Sequence, residues 1–259
     1  MSWRRSGDSP IVAKLMGGLG NQIFIYAAAL EQARRLGVDL EVDTSFYSIH
    51  KNRMYLLDQL FESSINRATP SDANPSLIIR VLEYVLRELK QFDLLMEFKE
   101  KSHRFQPRIF NILPGTKIEG YFQSSKYFPS VGAEIAHSIR NAIVSTSEQA
   151  IIDDVSSKPF MAIHVRRGDY SSDSHIREAH GLTTKEYYEA SLGMISGKDV
   201  PCIVFTDSPQ ETQKELRGIS ELVFDSRVLH MGEIATLKLM SLASGIVMSN
   251  SSFSWWAAY

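Results

Sequence analysis

The chain is short of the features that mark several large protein classes. Its 259 residues include one cysteine, Cys202. An internal disulfide and a cysteine-rich metal centre are therefore excluded, and a thiol in an apolar run reads as a small core residue in a reducing compartment. No stretch approaches the roughly 18 consecutive apolar residues of a membrane span. Net charge is only −2, without the basic excess of a nucleic-acid binder. There is no H-E-x-x-H, no convincing Asp-x-Asp and no G-x-S-x-G elbow, so neither a metal site nor a serine hydrolase is expected. Arg4-Arg5 resembles the start of a twin-arginine signal, but Ser6 to Pro10 follow where an apolar region is needed. The chain reads as cytoplasmic, with peripheral membrane association left open.

What is present is an ordinary soluble composition, 44% hydrophobic and 22% charged, long enough for about two domains of ~150 residues each. The most informative stretch is Met161 to Tyr170, MAIHVRRGDY. Phe160 to Val165 is apolar except at His164, the pattern of a strand covered on both faces of a parallel sheet. Arg166 and Arg167 follow at the strand's carboxyl end, where open α/β sheets bind ligands. The arginine fork matches phosphate oxygens, so the pair suits a diphosphate. Gly168 permits a tight turn. Arg167-Gly168-Asp169 also spells an adhesion tripeptide, read here as coincidence because nothing indicates secretion.

Residues 1 to 9 read as a frayed start. Ile11 to Met16 reads as a strand entering Gly17-Gly18-Leu19-Gly20-Asn21-Gln22, with a helix expected next and Gly37 as its stop. Such a turn is an anion site in principle, but Ile23 stands where a dinucleotide fingerprint needs its third glycine, which argues against a nicotinamide or flavin cofactor. Residues 70 to 75 read as a loop, and from Ser76 a long amphipathic helix runs through Met96. Lys117 to Phe122 is expected as a strand, Val131 to Ile143 as a helix, and the polar stretch Ser145 to Lys158 as including the passage into a second domain. Ser171 to His180 is a polar loop of flap length. Beyond it, strands ending in Thr206-Asp207, Phe224-Asp225 and Met248-Ser249 alternate with helices, the rhythm of a parallel sheet with right-handed crossovers.

HVRRGDY at 164 to 170 resembles the central motif of the α-1,2-fucosyltransferases, glycosyltransferase family 11. GGLGNQIFIYAAAL at 17 to 30, EGYFQSSKYF at 119 to 128 and SNSSFSWWAAY at 249 to 259 are similar to the same family in the same order. The resemblance implies an α/β, GT-B-like fold of two Rossmann-like domains facing across a cleft. Residues 1–150 would form the acceptor side and 151–259 the GDP-sugar-binding domain. It also implies an inverting, metal-independent galactoside 2-α-L-fucosyltransferase of bacterial type. The donor would be GDP-fucose, the acceptor a galactose-terminated oligosaccharide, and no cofactor is implied. The alternatives are another linkage or acceptor, or an inactive GDP-sugar-binding protein.

By the same resemblance, Arg166 and Arg167 would offset the diphosphate charge with Asp169 orienting them, helped by backbone amides of Ser251 and Ser252 beside Asn250. Asp207 would accept hydrogen bonds from the guanine edge, which offers two donors where adenine offers no such pair. His164 would lie beside the base, although a lone histidine in an apolar run also reads as a structural one. Gly20, Asn21 and Gln22 would face the cleft, the two amides bonding sugar hydroxyls. Tyr121, Phe122, Tyr127 and Phe128 read as core or as a sugar platform. Asp169, Asp173, His175 and Asp43 are candidates for a base, and none is assigned. Family members continue beyond WWAAY, so a truncated end exposing Phe253, Trp255, Trp256 and Tyr259 is expected.

Overall fold

A computed structural model describes residues 9–61, 65–68, 97–167, 183–195 and 200–259. Residues 1–8 of the expected frayed start, the helix from Ser76, the loops at 70–75 and 171–180, and Gly168, Asp169, Asp173 and His175 lie outside the described residues. The chain divides into two compact units, Met1–Ile135 and Ala136–Tyr259.

In unit 1, strands β1 (Ile11–Lys14), β2 (Leu40–Asp43), β3 (Asn66–Arg67), β4 (Glu97–Lys99) and β5 (Lys117–Glu119) form one parallel sheet in the order β3-β2-β1-β5-β4. Helix α1 (Leu19–Leu36) follows β1 and is buried from Ile23 through Ala29 without a break. A run of Ala27-Ala28-Ala29 lets it lie close to its neighbours, because alanine combines high helix propensity with little bulk. Gly37 closes the helix at φ 72°, its amide reaching the Ala33 and Arg34 carbonyls, a backbone state that glycine adopts without a Cβ penalty. Short helices α2 (Ser45–Ile49) and α3 (Leu57–Leu60) follow β2.

The division between units falls within helix α4 (Gly132–Arg140). Residues 145 to 158, expected as a polar passage, mostly form helix α5 (Thr146–Ser156). Its start is fixed by a capping box between Ser145 and Glu148, which satisfies two orphan amides reciprocally. The other Glu148 oxygen accepts from the Gly232 amide at 2.9 Å. That contact, 84 residues away in sequence, is invisible to local reading.

In unit 2, β6 (Met161–Val165), β7 (Cys202–Thr206), β8 (Leu222–Val223) and β9 (Gly245–Val247) form a second parallel sheet, ordered β8-β7-β6-β9. Every residue of β6 is buried. One face of the sheet packs Met161, Ile163, Val165, Val204 and Val247 against Tyr188 of helix α6 (Lys185–Ile195). The remaining helices are α7 (Pro209–Glu215), α8 (Ser226–Leu229), α9 (Glu233–Ser241) and α10 (Ser252–Ala258). Trp256 of α10 is 1% exposed and Tyr259 is 42% exposed, so the aromatic load expected on the surface is divided between core and solvent. Among the described residues no helix is long and apolar enough to cross a membrane.

Candidate functional site

The order of the second sheet sets the position of its site. The chain steps from β6 to β7 and β8 on one side, then returns to β9 on the other side of β6. The reversal at β6 is a topological switch point, and the crevice beyond the strand ends there is the ligand position of open α/β sheets. Three sequence-predicted groups meet at these adjacent ends: His164 and Arg166 from β6, Asp207 from β7, and the turn Ser249 to Ser252 from β9. Arg166 Nε is ion-paired with Asp207 Oδ2 at 3.0 Å, and their side chains are 28% and 27% exposed.

Arg167 has a different place from the one expected. It is 2% exposed, and its Nε and Nη2 donate to the two oxygens of Glu215 at 2.7 and 2.8 Å. Nη2 also donates to the Thr183 carbonyl at 2.7 Å and Nη1 to the Arg166 carbonyl at 3.0 Å. Four of the five N–H bonds of a guanidinium are thus engaged internally. Burial presses its pKa down, but the hydrogen bonds and charge of Glu215 outweigh that and hold it above the ordinary arginine value. Arg167 is a buried brace and does not offer its fork to a diphosphate. Its backbone amide donates to Asp207 Oδ1 at 2.8 Å, so Asp207 ties the two arginines together.

His164 is buried, its Nδ1 2.8 Å from Ser249 Oγ and its ring 5.8 Å from that of Phe253. Burial above all, with the Arg166 charge second, pushes its pKa down to about 4, so the imidazole is neutral at physiological pH. Tyr188 donates to the His164 carbonyl at 3.0 Å and meets Thr183 Oγ1 at 2.7 Å. Of the two amides expected to help with an anion, that of Ser251 is committed to the Ser249 carbonyl at 2.8 Å. Ser251 Oγ caps the amide of Phe253. Ser252 opens α10 and Asn250 is exposed.

The first sheet has its own reversal, at β1 beside β5, and two of the family-like motifs converge there. The helix begins at Leu19, so Gly20, Asn21 and Gln22 lie in its first turn. Gly17 sits at φ 77°, and a Cβ there would fall 2.7 Å from Asn21 Nδ2, which restricts the position to glycine. Its carbonyl accepts from Tyr47 Oη and Gln22 Nε2 at 3.1 and 3.3 Å. Gln22 is fully buried, donates again to the Met54 carbonyl at 2.8 Å, and accepts from the Leu56 amide at 3.0 Å. Its amide staples the 54–56 backbone and does not reach a sugar. Asn21 is partly exposed and accepts from Gln123 Nε2 at 2.8 Å.

Strand β5 ends at Glu119, short of the expected Phe122, because Gly120 and Phe122 take positive φ. The Glu100 carboxylate receives the amides of Tyr121 and Phe122 at 2.9 and 3.0 Å. Phe122, Tyr127 and Phe128 are core, and only Tyr121 of that cluster is exposed, at 36%. Asp43 accepts from Lys117 at 2.7 Å and from the Ser45 amide at 2.9 Å. Burial pushes its pKa up, but these partners outweigh it and hold the carboxylate below its ordinary value, which makes it a poor base.

Sequence reasoning misses Glu215, Thr183, Tyr188 and the structural role of Gln22. Each acts through partners 5 to 48 residues away, and no local pattern marks them.

A family model described as Glycosyl transferase family 11 matches residues 11–259. An alpha-1,2-colitosyltransferase from Escherichia coli is 25% identical over 97% of this chain and 87% of its own length. The O-antigen biosynthesis glycosyltransferase WbnK, also from Escherichia coli, is 25% identical over 95% of this chain and 88% of its own. Among solved structures, a mutant of Arabidopsis thaliana FUT1 in complex with GDP is similar at a TM-score of 0.50 and 15% identity. That likeness covers 98% of this chain and 69% of the other, and it bears out the expected α/β, GT-B-like class.

Proposed function

Because this chain belongs to glycosyl transferase family 11, we propose that it is an inverting transferase moving L-fucose from GDP-fucose to the 2-hydroxyl of a terminal galactose. The observation that carries this reading is the meeting of Arg166, Asp207 and the Ser249–Ser252 turn at the sheet reversal of unit 2. A transferase of this kind must stabilise a departing diphosphate while positive charge grows on the sugar ring, and charge oriented in advance does most to lower the barrier of such a step. Arg166 supplies that charge, held by Asp207. The Asp207 carboxylate has about four acceptor sites, enough to keep both arginine bonds and still receive guanine N–H groups. His164, neutral, borders the base, and the Ser252 amide and Asn250 lie at the phosphate end. The donor is assigned to unit 2 and the acceptor glycan to unit 1, where Asn21, Gln123 and Tyr121 present amide and ring to sugar hydroxyls and faces.

A second donor is favoured by one observation. The Escherichia coli relative carries colitose in its name, and colitose is a fucose without its 3-hydroxyl, so GDP-colitose would fit a site that does not read that hydroxyl. Turnover of GDP-fucose and GDP-colitose with a lactose-type acceptor tests both, alongside titration with GDP, ADP and UDP. No transfer from either donor would sink the reading, and equal affinity for the three nucleotides would remove the role of Asp207.

A further inference from the structure

The Arg166–Asp207 pair stands at the end of a relay that begins on another helix. Glu215, the last residue of α7, takes the Arg167 fork at 2.7 and 2.8 Å. The amide of Arg167 fixes Asp207 Oδ1 at 2.8 Å, and Asp207 Oδ2 fixes Arg166 Nε at 3.0 Å. Arg167 also joins Thr183, at the start of the segment leading into α6, to the end of β6. A bidentate arginine–carboxylate contact is among the most directional side-chain interactions, and a buried guanidinium is costly to leave unpaired. The placement of Arg167, just past the end of β6, therefore depends on a carboxylate whose own hydrogen bonds go to its guanidinium.

We infer that Glu215 is a positioning residue for the donor site, holding Arg166 in its diphosphate-facing place through Arg167 and Asp207. The inference rests on the reading of Arg166 as the diphosphate ligand. A purely structural Glu215 would loosen unit 2 as a whole, whereas a positioning residue loosens Arg166 ahead of other paired arginines. Arg227, whose Nε donates to Asp225 at 3.1 Å in the same unit, is the internal control.

The test measures Nε–H hydrogen exchange of Arg166 and Arg227 by NMR in the full chain and in Glu215→Ala, with Glu215→Gln as a milder variant that keeps one acceptor should the alanine variant not fold. Exchange at Arg166 should accelerate by about tenfold, the scale of one lost charged hydrogen bond, with Arg227 unchanged. GDP binding and the KM for donor should weaken by a similar factor, and the KM for acceptor should hold. Equal acceleration at both arginines, or none at Arg166, overturns the inference. Failure of the wild-type chain to bind GDP would instead defeat the donor-site reading, and the exchange comparison would still judge the relay.

Discussion

The two sheet edges share one frame and differ in chemistry. Each is the carboxyl edge of a parallel sheet at its reversal point, yet the edge of unit 2 links Arg166, Asp207, Arg167 and Glu215 in one chain of contacts, while that of unit 1 pairs Lys14 and Lys99 with Glu119 at 3.1 and 3.7 Å and has the Asn21–Gln123 contact and the exposed Tyr121 as its uncharged groups. On the proposed reading the linked charges of unit 2 would serve the diphosphate, and the uncharged amide and ring groups of unit 1 the sugar hydroxyls. The same topology thus presents two different sets of strand-end residues.

The sharpest way to break this contrast is Arg166→Ala. Loss of one or two charged hydrogen bonds at ~1.5–3 kcal/mol each predicts a fall of roughly a hundredfold or more in kcat/KM, with unit 1 variants showing no comparable loss. A wild-type rate in steady-state assays would remove Arg166 from the site. Arg167→Met tests the brace: it leaves Glu215 without its bidentate partner, and a loss of about 3 kcal/mol in denaturant stability is expected, with Arg167→Lys intermediate and at least about tenfold less active. A melting curve like that of the wild type would return Arg167 to the ligand role.

The pH dependence follows from His164. Its folded pKa of about 4 lies below the ordinary 6.5, so below pH 6.5 the unfolded chain binds a proton that the folded chain refuses. Stability should decline as pH falls from 6.5 towards 4, by up to roughly 3 kcal/mol, and flatten below. His164→Gln should remove the decline over that window; its persistence would point to another group. At unit 1, Gln22→Ala strands the Leu56 amide and the Met54 carbonyl, the Gly17 carbonyl keeping Tyr47 Oη, and about 1–3 kcal/mol of stability should be lost while GDP affinity stays unchanged. Asn21→Ala should instead raise the acceptor KM a few-fold. The smallest effect is expected from a chelator: with arginine supplying the charge, turnover should persist, and complete reversible loss would overturn that assignment.

Much of the fold is legible because burial in a parallel sheet writes itself into short apolar runs. Met161–Val165, Cys202–Thr206 and the strand opening at Ile11 read as strands on that ground, and Gly37 stops α1 where a left-handed residue is needed. Residues 145–158 read as a passage between domains because a capping box and an amphipathic face look polar in aggregate, although they form a helix. HVRRGDY marks a strand end that bears charge, but adjacent arginines carry no local sign of which is buried. Val165 lies in the core, and Arg167, two residues on, turns inward to Glu215 while Arg166 keeps access to solvent.

Composition, periodicity and four ordered motifs therefore determined the α/β class, the strand ends that bear chemistry and the family to which the chain belongs. Only the tertiary structure divided those residues into buried braces and groups with access to solvent. Hydrogen-bond partners such as Arg167 with Glu215 and Gln22 with Leu56 lie 48 and 34 residues apart. Whether a polar group faces a substrate or an internal partner depends on which distant backbone and side-chain atoms the fold brings within about 3 Å.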